Sequence, residues 1–276
     1  MRSPRPADQF DSAGRIAAFA GRFGRQLAGS FVVEIGAGWD MSMAVGLWLG
    51  GADRIWCVDQ NRHLRQRLLA DCLRHFREHP AENEMALGPI VAAQGFAERK
   101  QALFAALATR SPSSIPASVE YRAPIDCTCL PLADNSADFH VSRSVFEHVP
   151  PDAIVPLLAE GRRIVKRRGL LVHAIDFSDH FSHSDPGISS IHFLRYTERD
   201  WNHYAGNRFM YHNRLRVDAF EGFFEAAGLR LLAVERDVDP RALREIASGF
   251  IPDPAFRGGD ADTLATANAW FVAEPA

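Results

Sequence analysis

The chain has 276 residues, 47% of them hydrophobic, and a formal net charge of −3. The apolar share suffices for a full core, and the slight acidity argues against a general nucleic-acid binder, which is usually basic. No run approaches the roughly 18 apolar residues that a membrane helix needs.

Residues 1–11 are polar and broken by prolines, without the apolar centre of a signal peptide, so a cytoplasmic protein is expected. Residues 16–27 read as an amphipathic helix. Residues 31–35 are a short apolar run that ends in glycines, the pattern of a buried strand. A helix is expected over 41–49, a second strand over 54–58 ending at Asp59, and a charged helix over 63–79 stopped by Pro80. Further strands are expected over 119–122 and 139–142, a helix over 153–165, and a buried strand over 170–175. A helix over 217–227 is capped by Gly228, and strands at 229–235 and 269–273 close the chain.

This alternation implies an α/β fold: a doubly wound, mostly parallel, seven-stranded Rossmann-like sheet with helices on both faces. Such sheets take ligands beyond the carboxyl ends of their strands. The chain reads as one domain, 1–276, with two segments longer than the connections require. One covers about 81–118, with a helix near 97–108 and the loop Ser111-Pro-Ser-Ser-Ile-Pro116; the other covers about 177–216 and forms a lid after the fifth strand.

Cys57, Cys72, Cys127 and Cys129 are expected to be free thiols. Cys127 and Cys129 lack nearby partners for a zinc site, so no metal is assigned there. The run Arg162, Arg163, Lys166, Arg167 and Arg168 reads as cations at a helix C-terminus.

The chemistry starts in Val32-Val-Glu-Ile-Gly-Ala-Gly38, where a strand turns into a helix through Gly36 and Gly38. Residues without a Cβ let a ligand approach the backbone, and free N–H groups at the helix start favour a polar or anionic group. Met41 stands where a nicotinamide fingerprint wants a small residue, and Glu34 is untypical of that fingerprint. Asp59, at the end of the next strand, is placed to accept ribose hydroxyls.

A third segment runs Asp126-Cys-Thr-Cys-Leu-Pro-Leu-Ala-Asp-Asn-Ser-Ala-Asp-Phe139 and, after a strand, Ser144-Val-Phe-Glu-His148. With these motifs the chain resembles the class I S-adenosylmethionine (SAM) methyltransferases, in the branch with Asp-x-x-x-Leu-Pro and Glu-His. The resemblance covers roughly residues 31–171, apart from the first insertion. It implies SAM as cofactor, with Glu34, Gly36 and Gly38 along its methionine end. Asp59 would then hold the ribose beside Gln60, Asp126 would accept from the adenine amino group next to Cys127, and the backbone of Ser142 to Ser144 would face the methionine amine. Two features depart from the family pattern: Asp40 replaces a frequent third glycine, and Lys166-Arg-Arg-Gly169 replaces Lys-Pro-Gly-Gly.

Six of the eleven histidines and three of the four tyrosines fall between His173 and His212, which makes this lid the expected acceptor site. The expected reaction is methyl transfer to a small molecule, at a hydroxyl of a sugar or secondary metabolite. N- or C-methylation, or a non-catalytic SAM-fold binding protein, are the alternatives. His180, with Asp176, Asp179 or Asp185 to orient it, is the first expectation for a general base, followed by His183 and His148. Asp176, Asp179 and His180 also have ligand chemistry for a divalent ion, but nothing in the sequence fixes their geometry, and no metal site is assigned. Residues 213–216, Asn-Arg-Leu-Arg, would either anchor a polar substrate or tie the lid to the core.

Overall fold

The structure, a computed structural model, describes residues 6–108, 116–206 and 211–276. The strands are β1 (Phe31–Ile35), β2 (Arg54–Val58), β3 (Val119–Arg122), β4 (Ala137–Arg143), β5 (Val165–Asp176), β6 (Leu229–Val238) and β7 (Thr266–Pro275). They form one seven-stranded sheet in the order β3-β2-β1-β4-β5-β7-β6. β1 pairs in parallel with both β2 and β4, and β2 pairs in parallel with β3.

By contact density the chain divides into two compact units. The first comprises residues up to 143 together with 163–172, and the second comprises 144–162 and 173–274. In the first unit β1 and β2 are buried along most of their length: Val32, Val33, Ile55 and Val58 are fully enclosed. That is the signature of strands covered on both faces. The helices α1 (Ala7–Arg22), α2 (Ser42–Leu49), α3 (Gln66–Glu78), α4 (Pro80–Leu87) and α5 (Phe96–Ala108) belong to this unit, and α1 packs on α2 and α4.

α1 starts nine residues before the expected helix, at Ala7, because Phe10 and Ala13 extend its buried face toward the N-terminus. It stops before Gly24, which takes φ +68°. Pro80 ends α3 as expected, and it also opens α4, where a missing N–H costs nothing. The loop residues 111–115 lie outside the described residues. At Gly169 of β5 an added Cβ would stand 2.5 Å from the carbonyl oxygen of Asp138 on β4, so the departure from the family loop keeps the glycine that close strand approach requires.

The basic run is divided. Arg162 and Arg163 sit in the last turn of α6 (Pro151–Ile164), while Lys166, Arg167 and Arg168 lie in β5. Arg163 donates to Asp134 and to the carbonyls of Leu130 and Leu132, and Lys166 donates to Asp138 at 2.7 Å. The helix-dipole reading therefore covers only the first two cations.

The second unit holds α7 (Glu198–Ala205), α8 (Val217–Ala226), α9 (Pro240–Ala247) and α10 (Ala261–Ala265). The lid segment has a core of its own: Ile191, Phe193, Leu194 and Trp201 pack with Ala242 of α9 and with Leu264 and Ala265 of α10. Burial of this kind explains why a long connection is ordered. Asp239 and Asp260 cap α9 and α10, accepting from the N–H groups of Arg241 and Thr263.

Candidate functional site

In the first unit, the parallel register sets Ile35 beside Val58 on one side and Ser142 on the other. The strand ends therefore align, and the residues that follow them gather at one edge. Gly36 and Gly38 take φ +70° and +69°, a conformation that costs a side-chain-bearing residue steric energy. The Gly36 N–H donates to the Val58 carbonyl at 2.8 Å, which draws the turn against the end of β2. A Cβ on Gly38 would find its nearest neighbour 3.9 Å away, so the turn faces open space. Asp40 stands where the family has a third glycine and closes a local turn before α2: its Oδ1 accepts from the Ser42 N–H at 2.9 Å.

Asp59 is buried near the Tyr121 hydroxyl and the Gly38 N–H, and its Oδ2 has no hydrogen-bond partner. Burial raises its pKa to about 6, against the lowering effect of Tyr121 and of His63. Glu34 is buried deeper. Desolvation raises its pKa to about 8; the hydrogen bond from Cys57 opposes this, and the charges of Asp59 and Asp40 add to it. Gln60 is exposed beside Asp59.

The Ile125 N–H donates to the Asp59 carbonyl at 3.0 Å, which brings the Asp126 segment to the same edge. Asp126 is exposed, and its Oδ1 accepts from both the N–H and the hydroxyl of Thr128 at 2.8 and 2.7 Å, which lowers its pKa. The Cys127 thiol is buried against the Ile125 carbonyl and pushed up to about 12, so it packs and does not ionise. Ser142 is fully buried within β4. A fit for SAM thus exists in this unit: a side-chain-free turn, an unpartnered carboxylate oxygen for ribose hydroxyls, and buried Glu34 for a cationic methionine end.

In the second unit, Ser144 takes φ +51° and donates its N–H to the Ala174 carbonyl at 3.0 Å. The chain then turns through Phe146–His148 into α6. His148 Nδ1 lies 2.8 Å from the Tyr211 carbonyl. His180 opens a 3-10 turn, His180–His183. Its ring centroid lies 5.2 Å from that of His148, 4.3 Å from that of His212 and 5.2 Å from that of His183.

Asp176, and not Asp179, stands beside these rings. Its Oδ2 is 3.5 Å from His180 Nε2, and its Oδ1 accepts from the Ser178 hydroxyl at 2.6 Å. Ser178 Oγ is in turn 2.9 Å from His183 Nε2. Burial raises the Asp176 carboxyl, but the hydrogen bonds from Ser178 and the adjacent His180 ring outweigh it and hold it down to about 2. Asp179 caps the turn by accepting from the Phe181 N–H at 2.9 Å, and Asp185 accepts from its own loop at Gly187.

Residues 213–216 tie the lid together. Asn213 donates to the carbonyls of Phe146 and Val149. The Arg216 guanidinium, buried and pushed down to about 10 by desolvation, donates to the carbonyls of Phe177, Leu264 and Thr266. A cavity of about 580 Å³ opens in this unit among Trp201, Tyr211, His212, Arg214 and Phe256.

A family model described as "Methyltransferase domain" matches residues 101–173. The chain is similar in structure to magnesium protoporphyrin IX methyltransferase from Synechocystis PCC 6803 with bound SAH, at TM-score 0.52 and 10% identity, over 99% of this chain and 85% of that one. It is also similar to geranyl diphosphate methyltransferase in complex with SAM, at TM-score 0.51 and 11% identity, over 95% of this chain and 85% of that one. No curated protein matches the sequence. The chain has the fold of these methyltransferases, and a stretch of it matches the methyltransferase-domain model.

On that methyltransferase frame, the residues expected around the cofactor divide by depth. Glu34, Asp59, Cys127 and Ser142 are buried, whereas Gln60, Asp126 and Ser144 are exposed. Sequence reasoning missed Tyr121, whose hydroxyl receives the N–H groups of His63 and Leu64 at 2.9 and 3.3 Å and holds Asp59. It also missed Ser178 as a link, and it gave Glu147 and His212 no role. Exposed Trp39, directly after Gly38, was a readable signal, because a large aromatic left in solvent at a ligand turn is a candidate cover for a ligand.

Proposed function

We propose that the chain transfers the methyl group of SAM to a hydroxyl of a small molecule, a sugar or a secondary metabolite. The observation that carries the cofactor half is the buried, unpartnered Oδ2 of Asp59 at the end of β2, beside the glycine turn. A buried carboxylate oxygen without a donor is costly, and the vicinal hydroxyls of a ribose repay that cost. Glu34 would face the methionine end, and Asp126 the adenine amino group through its Oδ2.

SAM supplies an electrophilic methyl: the carbon–sulfur bond breaks as the oxygen–carbon bond forms, which leaves S-adenosylhomocysteine. The protein's own contribution is to orient the acceptor and take its proton. His183 is the base that the hydrogen bonds favour. The single Ser178 hydroxyl proton goes to Asp176, so His183 Nε2 donates to Ser178 Oγ, and Nδ1 keeps a free lone pair. His183 is also exposed, so a substrate hydroxyl can reach it. Support for a small acceptor is the 580 Å³ cavity, whose size is that of ordinary small-ligand pockets and whose wall mixes Trp201, Tyr211 and Phe256 with polar groups such as Glu198, Asn202 and Asp218.

The test is transfer of label from methyl-labelled SAM to a panel of sugars, phenols and polyketides, with amine and carbon acids as competitors. Product carrying an O-methyl group is expected. Exclusive labelling of amines or carbon would overturn the hydroxyl assignment.

A further inference from the structure

Glu147 and His148 are neighbours on the 3-10 turn that follows β4, and His180 opens the turn that follows β5. One donor atom of each of the three side chains lies within 4.8 Å of the other two. We infer that Glu147, His148 and His180 form a binding site for one divalent transition-metal ion of the zinc type. Two imidazoles and a carboxylate are a donor set for such ions, and three protein ligands leave a coordination position for an exogenous oxygen.

Three surrounding features support the site. First, the Tyr211 carbonyl sits 2.8 Å from His148 Nδ1, and a carbonyl can only accept. The proton is therefore on Nδ1, and Nε2 presents its lone pair, the outer-sphere arrangement found behind metal-bound histidines. Second, Asp176 flanks His180 at 3.5 Å and contributes negative charge next to the cation. Third, His212 is 5% exposed, and neither of its ring nitrogens has a hydrogen-bond partner. Its ring packs 4.3 Å from His180 and 5.8 Å from His148. A buried imidazole with both nitrogens unsatisfied is rare, and an ion or an ion-bound water at the adjoining site would satisfy one of them.

The exposed flank at His148 leaves the site open on one side. In the role that rests on the hydroxyl-acceptor reading, an ion there lowers the pKa of the acceptor hydroxyl, and His183 receives the proton. Ion binding itself does not depend on that reading.

The experiment uses the full chain stripped with a chelator. Zn2+ is titrated by calorimetry, and Co2+ by visible absorption, against wild type, Glu147→Gln and His180→Asn. One equivalent per chain is expected, with ligand-field bands for Co2+, and each substitution should weaken Zn2+ by more than about a hundredfold. SAM affinity is measured on the same samples. His180 is only half-buried, so His180→Asn carries the test if Glu147→Gln does not fold. No stoichiometric binding, or binding unchanged in a folded His180→Asn, overturns the site. Stoichiometric Zn2+ without methyl transfer would instead remove the proposed activity and leave the site standing.

Discussion

The Cys57 thiol donates to the Glu34 carboxylate at 3.5 Å, across a register that places the two residues side by side on β2 and β1. Burial, opposed by the thiol and reinforced by the nearby carboxylates of Asp59 and Asp40, holds Glu34 protonated near neutral pH. Cys57 is itself pushed well above its ordinary value by burial and by Glu34.

This gives a stability prediction with a definite sign. The folded-state pKa of Glu34 is raised from 4.5 to about 8, so the folded protein keeps a proton that the unfolded chain has released. Its contribution is fully present below pH 4.5 and is lost as pH rises to about 8, by about 5 kcal/mol at most. In urea titrations, Glu34→Gln should flatten this part of the pH dependence and stabilise the unliganded protein at pH 8. An unchanged slope between the two proteins would contradict the buried protonated acid.

The same acid links cofactor binding to pH. A cationic methionine end favours ionised Glu34, so SAM binding should release a proton and tighten as pH rises toward about 8. Calorimetry in buffers of different ionisation enthalpy reads the released proton directly, and Glu34→Gln should abolish it.

Arg216 should be a stability residue. Its guanidinium serves the carbonyls of Phe177, Leu264 and Thr266 in a buried setting. Arg216→Ala leaves those acceptors without donors and should cost about 3 kcal/mol or more, read as a lower urea midpoint. A loss under 1 kcal/mol would mean that water replaces the guanidinium at about equal free energy.

His183→Ala should lower turnover by about a hundredfold or more while SAM affinity stays the same. Ser178→Ala should produce a smaller loss, because it leaves the imidazole in place and removes its orientation. Full turnover in folded His183→Ala would move the base to His180 or His148.

Much of the first unit was legible because its strands are continuous apolar runs with sharp ends. β1, β2 and β3 begin and end where the glycines, Asp59 and the flanking polar residues place them. α1 was read short because Pro6 and the polar residues around Phe10 mask the start of its apolar stripe. α9 and α10 were passed over, although Asp239-Pro240 is a recognisable cap and first-turn pair. The lid's histidine content pointed to a site, and Asp176 was expected beside His180, four residues on, where it stands. The contact of His212 was not readable, because the chain returns to the same rings only after α7 and no local period encodes that return.

The proposal that the glycine turn and Asp59 hold SAM underlies the other predictions. Its most direct test is the SAM dissociation constant of wild type and of folded Asp59→Ala, by calorimetry or by Trp39 fluorescence. Binding to wild type and a loss of about 1–3 kcal/mol in the variant are expected, as for a charged partner of two hydroxyls. Equal affinity in the two proteins, or no affinity in wild type, would contradict it.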